Sequence, residues 1–512
     1  PSGEPPAAGP GAAPEPIPPT ELTETRVATH LLNRLAWGPR PGDVEAIRRM
    51  GAAAWIDAQL EPERLDDRVV EARLAALRVP AMSPRELMEA YPPPSARDAG
   101  GMAMRPERSP QRLIAGLQQA RLLRLVASER QLLEVMVDFW LNHFNVFAGK
   151  GSVRYYLPDY ERAAIRPHAL GRFRTLLGAV ARHPAMLYYL DGWLSIAPDV
   201  RLGARRAGLN ENYARELLEL HTLGVDGGYT EADVVAVARA FTGWTIDHPR
   251  AGHSRSGGGF VFDPRAHDRD PKTILGQALP AGGGYQDGER VLDLLARHPA
   301  TARLIATKLA RRLVADDPPA AVVDRAAAVF RETDGDIRAV VRSLVRAPEF
   351  FAERVYRAKV KTPLEFTASA LRALGAETDG GLPLLRALSL MGQPLYAAQA
   401  PTGYADRAEA WVNPGGLLAR LDLAHALAAN RLPGTSVTLA ALLPPGIGVE
   451  EALDRLVAAL LGGEISEESR AVMREAIGQP SITRAALDDP VSSPDLATIV
   501  ALVLGSPEFQ RR

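Results

Sequence analysis

Residues 112–144, RLIAGLQQARLLRLVASERQLLEVMVDFWLNHF, decide the fold class of this chain. Leu, Val, Ile and Met recur along them at intervals of three and four residues, which is the period of an amphipathic α-helix. Stretches of the same kind recur downstream, among them ATARLIATKLARRLV (300–314), GLLARLDLAHALAANRL (416–432) and LATIVALVLG (496–505). The pattern predicts a mostly α protein with a multi-helix body.

Strand signals are confined to one region. FTGWTID (241–247) and GGFVFDP (258–264) are separated by a Gly-, Ser- and His-rich loop, which predicts a small β-hairpin inserted in the helical body. The Pro- and Gly-rich stretch 89–111 is expected to be a long exposed loop.

The domain organisation follows from composition along the chain. The segment PSGEPPAAGPGAAPEPIPPT (1–20) is too poor in large apolar residues to fold, so we expect a disordered tether over 1–22. A main helical domain is expected over 23–350, and a C-terminal helical subdomain packed on it over 351–512. The chain begins with Pro, which favours a mature exported protein whose signal has been removed.

Composition excludes several classes of function. The chain has 512 residues, a net charge of −1 and a pI near 7.0, so it lacks the overall basic charge of a nucleic-acid-binding protein. No run of 18 or more apolar residues occurs, so no membrane span is expected. Cysteine is absent, which excludes disulfides, a thiolate nucleophile and Cys-ligated metals.

The stretch LNENYARELLELHTLG (209–224) concentrates varied polar chemistry in one helical segment. On a regular helix of roughly 100° per residue, Glu211, Arg215 and Glu219 share one face with Asn212 and Glu216. Ion pairs at i,i+4 on a solvated face explain these charges and contribute only about 0.3–0.5 kcal/mol each.

His221 of the same stretch is not explained by a solvated face. It falls on the leucine side of the helix and is expected to be buried with a hydrogen-bond partner. A buried or cleft-lining polar network is therefore the better interpretation of this stretch.

Further polar residues accompany this segment. Glu134, Asp138, Asn142 and Asn145 form a stripe beside His143, and the loop 262–276 carries a second polar group. Seven of the ten histidines lie between 143 and 267, which favours one site. The candidate catalytic residues are Glu216, His143, His221, Arg215, Asn212, His267, Asp268 and Lys272. We expect Glu216 to act as acid or base with His143 or His221 as its partner, and Arg215 to hold an anion.

Lysine is rare in this chain, with five lysines against 55 arginines. The bias is typical of a GC-rich genome. Each remaining lysine is a candidate for a position that needs a compact ammonium group rather than a planar guanidinium. The five are Lys150, Lys272, Lys308, Lys359 and Lys361.

Several strings together resemble a known family. FWLNHFNVF (139–147), YERAAIRPHALGRF (160–173), GLNENYARELLELHTLGVDGGYT (208–230), HDRDPKTILG (267–276) and KVKTPLEF (359–366) resemble the bacterial domain-of-unknown-function family numbered 1800, from about residue 25 to the C-terminus. The resemblance implies an exported protein, periplasmic or extracellular, with a sulfatase-like protein as an expected partner. The resemblance does not indicate which activity or cofactor the protein has.

Three functions remain open. The first is an enzyme that acts on a polysaccharide or another envelope polymer. As a lyase, it would use an Asn, an Arg or a metal to hold a uronate carboxylate while His or Tyr removes the α-proton. As a hydrolase, it would use Glu216 and Asp268 as acid and base.

The second function is a metal-dependent oxidoreductase or hydrolase with a site formed by His143, His168, Glu216 and His267. The third is a non-catalytic envelope assembly or binding protein whose buried polar network only orders the helices. An open cleft favours catalysis, and a sealed network favours a structural role. Substrate, metal and cofactor are left undecided.

Overall fold

The computed structural model describes residues 15–92, 106–198, 200, 208–247, 258–444, 447–478 and 496–512. The fold is 60% helical, and its sheets have only two strands each. The prediction of a mostly α protein is therefore confirmed. No helix in the described part of the chain has the length and hydropathy needed to span a bilayer.

The helices follow one another along most of the chain. Those before residue 200 are α1 (Glu24–Arg34), α2 (Asp43–Met50), α3 (Ala52–Leu60), α4 (Arg68–Ala75), α5 (Pro84–Ala90), α6 (Pro110–Ala127), α7 (Gln131–His143), α8 (Val153–Asp159), α9 (Phe173–Arg182) and α10 (Pro184–Tyr189). The middle of the chain forms α11 (Asn212–Glu216), α12 (Glu231–Ala240), α13 (Tyr285–Arg297), α14 (Pro299–Leu313), α15 (Ala320–Glu332) and α16 (Ile337–Val345). The remainder forms α17 (Pro363–Ala373), α18 (Leu382–Leu390), α19 (Pro414–Ala428), α20 (Val449–Leu461), α21 (Glu467–Gly478) and α22 (Leu496–Gly505).

Short turns of other helix types join these elements. The 3-10 turns are Pro62–Arg64, Val79–Ala81, Pro106–Arg108, Arg166–His168, Gly192–Leu194, Pro348–Phe351, Glu353–Val355, Ala408–Ala410 and Leu439–Ala441. Two π-helical turns, Tyr160–Ile165 and Leu217–Thr222, continue α8 and α11.

The strands of the described residues form three antiparallel pairs. β1 (Trp244–Ile246) pairs with β2 (Phe260–Phe262), and Trp244 lies opposite Phe262, which confirms the predicted hairpin. The others are β3 (Lys272–Ile274) with β4 (Gln277–Leu279), and β5 (Glu377–Thr378) with β6 (Thr435–Ser436).

α7, α14 and α17 lie at the centre of the body. Every residue of α17 is buried, and α7 buries ten residues on several sides, including Glu134 and His143. A helix that is apolar on all sides belongs inside a protein, because it has no face that prefers water. The few polar side chains on α7 and α17 must therefore find partners inside the body.

One apolar core connects the two halves of the chain. Its buried members run from Leu22 to Phe509. The boundary between a main domain (23–350) and a C-terminal subdomain (351–512) stays a prediction.

The predicted tether lies mostly outside the described residues. Its last part is described from residue 15 onward. Ile17 packs against the core there, and the Thr20 hydroxyl donates to the Phe351 carbonyl at 2.8 Å. Of the predicted loop 89–111, residues 93–105 also lie outside the described residues.

The π-turns change how the sequence pattern maps onto space. The Leu223 N–H donates to the Leu218 carbonyl at 2.8 Å, five residues back, and the Arg166 N–H donates likewise to the Glu161 carbonyl. Each residue of such a turn advances through a smaller angle than in an α-helix, so faces derived from a regular helix do not hold beyond residue 216. π-turns are rare and frequently occur at functional sites.

Candidate functional site

A cavity of about 360 Å³ opens between α7, α14 and the loop that follows α18. Pockets of this size hold small ligands or one part of a larger ligand. α7 and the residues after it contribute Asp138, Phe139, Asn142, His143, Asn145 and Val146; α14 contributes Lys308, Arg311 and Arg312; the loop contributes Gln393, Leu395, Tyr396, Thr402, Tyr404, Asp406 and Arg407. We call this space the α7–α14 cavity. Its lining combines apolar side chains with several cationic groups.

His143 and Lys308 form a polar pair in its wall. Lys308 Nζ lies 3.0 Å from His143 Nδ1, and His143 Nε2 lies 3.2 Å from the backbone carbonyl of His221. A carbonyl only accepts, so Nε2 carries the proton and donates to it, and Nδ1 accepts from the lysine amine. The backbone of His221 therefore sets the tautomer of His143, and His143 in turn orients the amine.

Burial moves the pKa of all three groups in the same direction, towards the neutral form. Burial, and then the nearby Arg311, lower the pKa of Lys308 to about 8. Burial, followed by the charge of Lys308, lowers the pKa of His143 well below its usual value. The same two causes lower the pKa of His221 to about 3. The pair is thus a neutral imidazole beside an amine that is partly uncharged at slightly alkaline pH.

Replacing His221 with Leu is expected to reduce the sensitivity of the fold to acid. Unfolded His221 takes up a proton below about pH 6.5, whereas the folded side chain does so only near pH 3. Its contribution to stability is complete above pH 6.5 and is lost as the pH falls towards 3. Between pH 7 and pH 5 the wild type should lose about 2 kcal/mol more unfolding free energy than the variant.

Urea denaturation at the two pH values measures this difference. The substitution itself is tolerable because Nδ1 of His221 has no hydrogen-bond partner among the described residues. Equal losses in the two proteins would show that His221 is not the responsible group.

Two asparagines of the predicted stripe hold the cavity wall in place. Asn142 donates to the Tyr404 carbonyl at 2.8 Å and accepts from the Tyr404 N–H at 2.7 Å. Asn145 donates to the carbonyls of Ala398 and Ala400 at 3.0 and 2.8 Å. Gly403 allows this close approach, because its φ is +70° and an added Cβ would lie 2.5 Å from the Asn142 carbonyl. Both amides serve the loop and not a ligand.

A chain of buried ion pairs passes along the cavity wall and continues into the surrounding helices. Arg166 binds Glu134 at 2.6 Å and Glu161 at 2.9 Å, and the Tyr396 hydroxyl donates to Glu161 at 2.5 Å. Arg121 lies over the Tyr396 ring and pairs with Asp138.

The chain continues from Asp138 to the C-terminal part of the protein. Arg312 lies 3.5 Å from Asp138 and 2.6 Å from Glu365, which also binds Arg512 at 3.0 Å. The cationic partners lower the pKa of Glu365 although burial raises it. These charges tie the helices together, and the cations around Glu365 keep its carboxylate ionised.

His267, Asp268 and Lys272 belong to a separate buried cluster. His267 Nε2 and Lys272 Nζ lie 3.2 and 3.0 Å from one oxygen of Asp287, which is fully buried. Asp268 pairs with Arg239 at 2.7 Å. None of these residues lines the α7–α14 cavity. The cluster joins the β3 region to α12 and α13, and its contacts fit a structural role.

Arg215, Asn212 and Glu216 lie away from the cavity as well. Arg215 binds Glu231 at 2.6 Å and Glu211 at 3.7 Å on a partly exposed surface. Asn212 is exposed. Glu216 is half-buried, and burial followed by the charge of Glu219 raises its pKa. Of the eight candidates, His143 meets the backbone of His221 at the cavity wall, whereas His267, Asp268 and Lys272 meet in their separate cluster.

The Arg215→Ala variant is expected to lose less than about 1 kcal/mol of unfolding free energy. Exposed ion pairs contribute little, because water solvates both charges in the unfolded chain and screens them in the folded one. Thermal melts of wild type and variant provide the measurement. A loss of several kcal/mol would show that Arg215 carries more than these surface pairs.

The described residues contain no group of three or more His, Asp or Glu side chains arranged to hold a metal ion. In particular, His143 contacts Lys308 and His221, whereas His267 contacts Asp287. The four residues predicted for a metal site therefore do not form one cluster.

The principal residues that the sequence did not single out are Arg311, Tyr396, Tyr404 and Asp406. They come from α14 and from a loop without helical or strand periodicity, so no pattern marked them. Lys308 carried one signal, the rarity of lysine in an arginine-rich chain. Its amine contacts His143, which lies 165 positions away in the sequence. No local pattern reveals a contact over this separation.

The fold and this cavity define a mostly α protein with a ligand-sized cavity in its helical body, largely apolar but with charged groups in its wall. The chain belongs to the family described as "Protein of unknown function (DUF1800)", which matches residues 30–511. Comparison with curated proteins and with solved structures found no match. The family description names no activity. The function of the protein is therefore inferred from the residues of the cavity.

Proposed function

We propose that this protein is a lyase that cleaves a uronate-containing polysaccharide by β-elimination in the α7–α14 cavity, outside the cytoplasm. The observation that carries the proposal is the Lys308–His143 pair, in which Nζ lies 3.0 Å from Nδ1 in the wall of a cavity of about 360 Å³. A cavity of this volume accommodates about one sugar unit, with the polymer continuing at its mouth.

Lys308 is the base in this proposal. A neutral lysine amine has two N–H bonds and one lone pair. One N–H donates to Nδ1 of His143, which leaves the lone pair available to the cavity. A base is most effective when its pKa is near the working pH, and burial brings the pKa of Lys308 to about 8. His143 orients this amine and remains neutral.

Arg311 is the group that neutralises the substrate carboxylate. It lies three residues after Lys308 on α14, so the two side chains project from the same side of the helix into the cavity. Its Nε donates to the Asp316 carbonyl at 3.1 Å, which anchors the guanidinium by one edge. A cation at the uronate carboxylate stabilises the negative charge that develops when the adjacent C–H bond breaks.

The elimination balances with these groups alone. The C5–H bond of the uronate breaks and its proton passes to Lys308 Nζ. The electron pair forms the C4=C5 double bond, and the C4–O4 bond breaks. The leaving oxygen takes up a proton from the lysine ammonium, which returns Lys308 to its neutral form.

Hydrolysis has less support at this cavity. It requires two carboxyl groups, one of which must be protonated. The carboxylates in the wall are Asp138 and Asp406, and both are held by cations: Asp138 by Arg121, and Asp406 by Lys359 at 3.2 Å. Lys359 and the nearby arginines lower the pKa of Asp406 against the effect of burial. Glu216 and Asp268 do not line the cavity.

A panel of uronate polymers tests the proposal. Polygalacturonate, alginate, hyaluronan and heparan sulfate should each be incubated with the protein while the ultraviolet absorbance of the unsaturated uronate product is followed. Sulfated polymers belong in the panel because the family resemblance brings a sulfatase-like partner into consideration. Absorbance that grows with one polymer supports the lyase. New reducing ends without the absorbance would indicate hydrolysis and contradict it.

A second candidate, a non-catalytic envelope assembly or binding protein, is favoured by one observation. The chain of ion pairs is buried and joins α6, α7, α14 and α17. Its middle part, with Asp138 and Arg312, lines the cavity, whereas Glu134 and Arg166 at one end and Glu365 at the other do not. Such networks can order a fold without chemistry. A polymer that binds, as measured by calorimetry, but is never cleaved would support this function.

A further inference from the structure

A second cavity, of about 410 Å³, lies between α1, the end of α20 and the residues after α22, and the proposed lyase does not use it. Much of its lining is apolar and includes Val44, Ala373, Leu442, Leu460, Leu461 and Phe509. We call it the Lys361 cavity, because Lys361 is one of its lining residues and its amine lies against Phe509, another one.

The amine of Lys361 has unusual surroundings for a lysine. The residue is 4% exposed, and Nζ lies 3.9 Å from the centre of the Phe509 ring. Among the described residues, no carboxylate lies within ion-pair distance of it. Lys359, two residues earlier, is also buried but binds Asp406 at 3.2 Å and pairs with Asp316. Buried lysines are normally paired, so Lys361 is the exception.

The charges that face this amine disfavour its protonation. Arg357, Arg512 and Arg420 oppose a positive charge, whereas Glu365 favours it. Burial is the largest cause, and together these effects lower the pKa of Lys361 to about 7. A desolvated lysine beside other cations is the arrangement that makes an amine nucleophilic at neutral pH.

The backbone of Lys361 has a separate structural role. Its N–H donates to the Gln510 carbonyl at 2.8 Å, and its carbonyl accepts from Arg420 at 2.8 Å. These bonds hold residues near Gln510 beside α17 and α19, and any residue other than proline at position 361 could supply the N–H and the carbonyl. They do not account for a lysine amine beside the Phe509 ring in a cavity wall.

We propose that Lys361 forms a Schiff base with a small, largely apolar aldehyde or ketone that binds in the Lys361 cavity. The neutral amine attacks the carbonyl carbon, and the proton it loses passes to the carbonyl oxygen to give a carbinolamine. The carbinolamine then loses water to form the C=N bond. No oxidant or reductant is required, and the step is reversible in water.

Reductive trapping tests this site directly. The full chain is incubated with butanal and sodium cyanoborohydride at pH 7, and the alkylated lysines are identified by peptide mass mapping. The map is simple because the chain has only five lysines. Lys361 should be alkylated about tenfold or more faster than Lys150, since a lower pKa leaves far more amine uncharged. Its rate should level off above about pH 7.

The two control lysines lie in the same protein and need no variant. Lys150 pairs with Asp191 at 2.6 Å on the surface, and Lys359 is buried but paired. Alkylation of Lys361 no faster than either control would overturn the proposal. The Lys361→Met variant should lose the label while circular dichroism shows the fold retained. Should that variant not fold, the wild-type rates decide the question. Because no polysaccharide takes part, the outcome is independent of the proposed lyase.

Discussion

Replacing Glu365 with Ala lowers the free energy of unfolding by about 3–5 kcal/mol, the cost of removing one partner of a buried ion pair. Glu365 is 5% exposed and binds Arg312 at 2.6 Å and Arg512 at 3.0 Å. Without the carboxylate, both guanidinium groups stay buried with fewer counter-charges. The substitution also removes the acceptor of the Thr362 N–H in the capping box of α17, a smaller loss of the order of 1 kcal/mol.

Urea denaturation followed by circular dichroism measures the effect. Glu353→Ala is the matched control, because the Glu353 carboxylate is half exposed and pairs with Arg26 at 2.8 Å. The control should change the unfolding free energy by less than about 1 kcal/mol. Glu365→Gln keeps an acceptor for the cap and should fall between the two. An Ala variant at 365 no less stable than the control would show that the network does not stabilise the fold.

Replacing Lys308 with Met is expected to reduce cleavage of the polymer identified in the panel by about 10²–10⁴-fold, the usual contribution of a general base. Met fills similar volume but cannot take a proton. In the wild type, the rate should increase as the pH rises through about 8, because only the uncharged amine is a base. The residual rate of the variant should lack this rise.

Initial rates from pH 6 to 10 give both the size of the effect and the profile. Lys150→Met is the control: it also removes an ammonium group, but Lys150 pairs with Asp191 away from the α7–α14 cavity. It should retain full activity. Thermal melts of both variants separate a loss of activity from a loss of fold. A Lys308→Met protein that melts normally and still cleaves at the wild-type rate would exclude Lys308 as the base.

Helix starts depend on neighbours along the chain. Pro184 and Pro299 each begin a helix, with His183 and His298 accepting hydrogen bonds at the two N-termini. The hairpin was found because Gly and alternating apolar residues mark it locally.

The candidate site was only partly predictable, for two physical reasons. First, α11 continues as a π-turn from Leu217, so the regular-helix face shared by Glu211, Arg215 and Glu219 does not continue to Glu219. Arg215 pairs with Glu211 and Glu231, and Glu219 accepts from the Tyr229 hydroxyl. Second, a polar residue in an apolar helix can meet a ligand or a buried partner, and the sequence does not distinguish the two. Asn142 and Asn145 of the predicted polar stripe, for example, hold the loop 398–404.

The sequence by itself determined the mostly α class, several of the helices, the hairpin, the exposed Glu–Arg face near residue 215, and the burial of His221. Each of these depends on periodicity and on interactions a few residues apart. Only the tertiary structure decided that Lys308 meets His143, that His267 and Lys272 join Asp287 instead, and that Lys361 faces a cavity without a counter-charge. These pairings join distant segments through packing of whole helices, and local spacing contains no information about them.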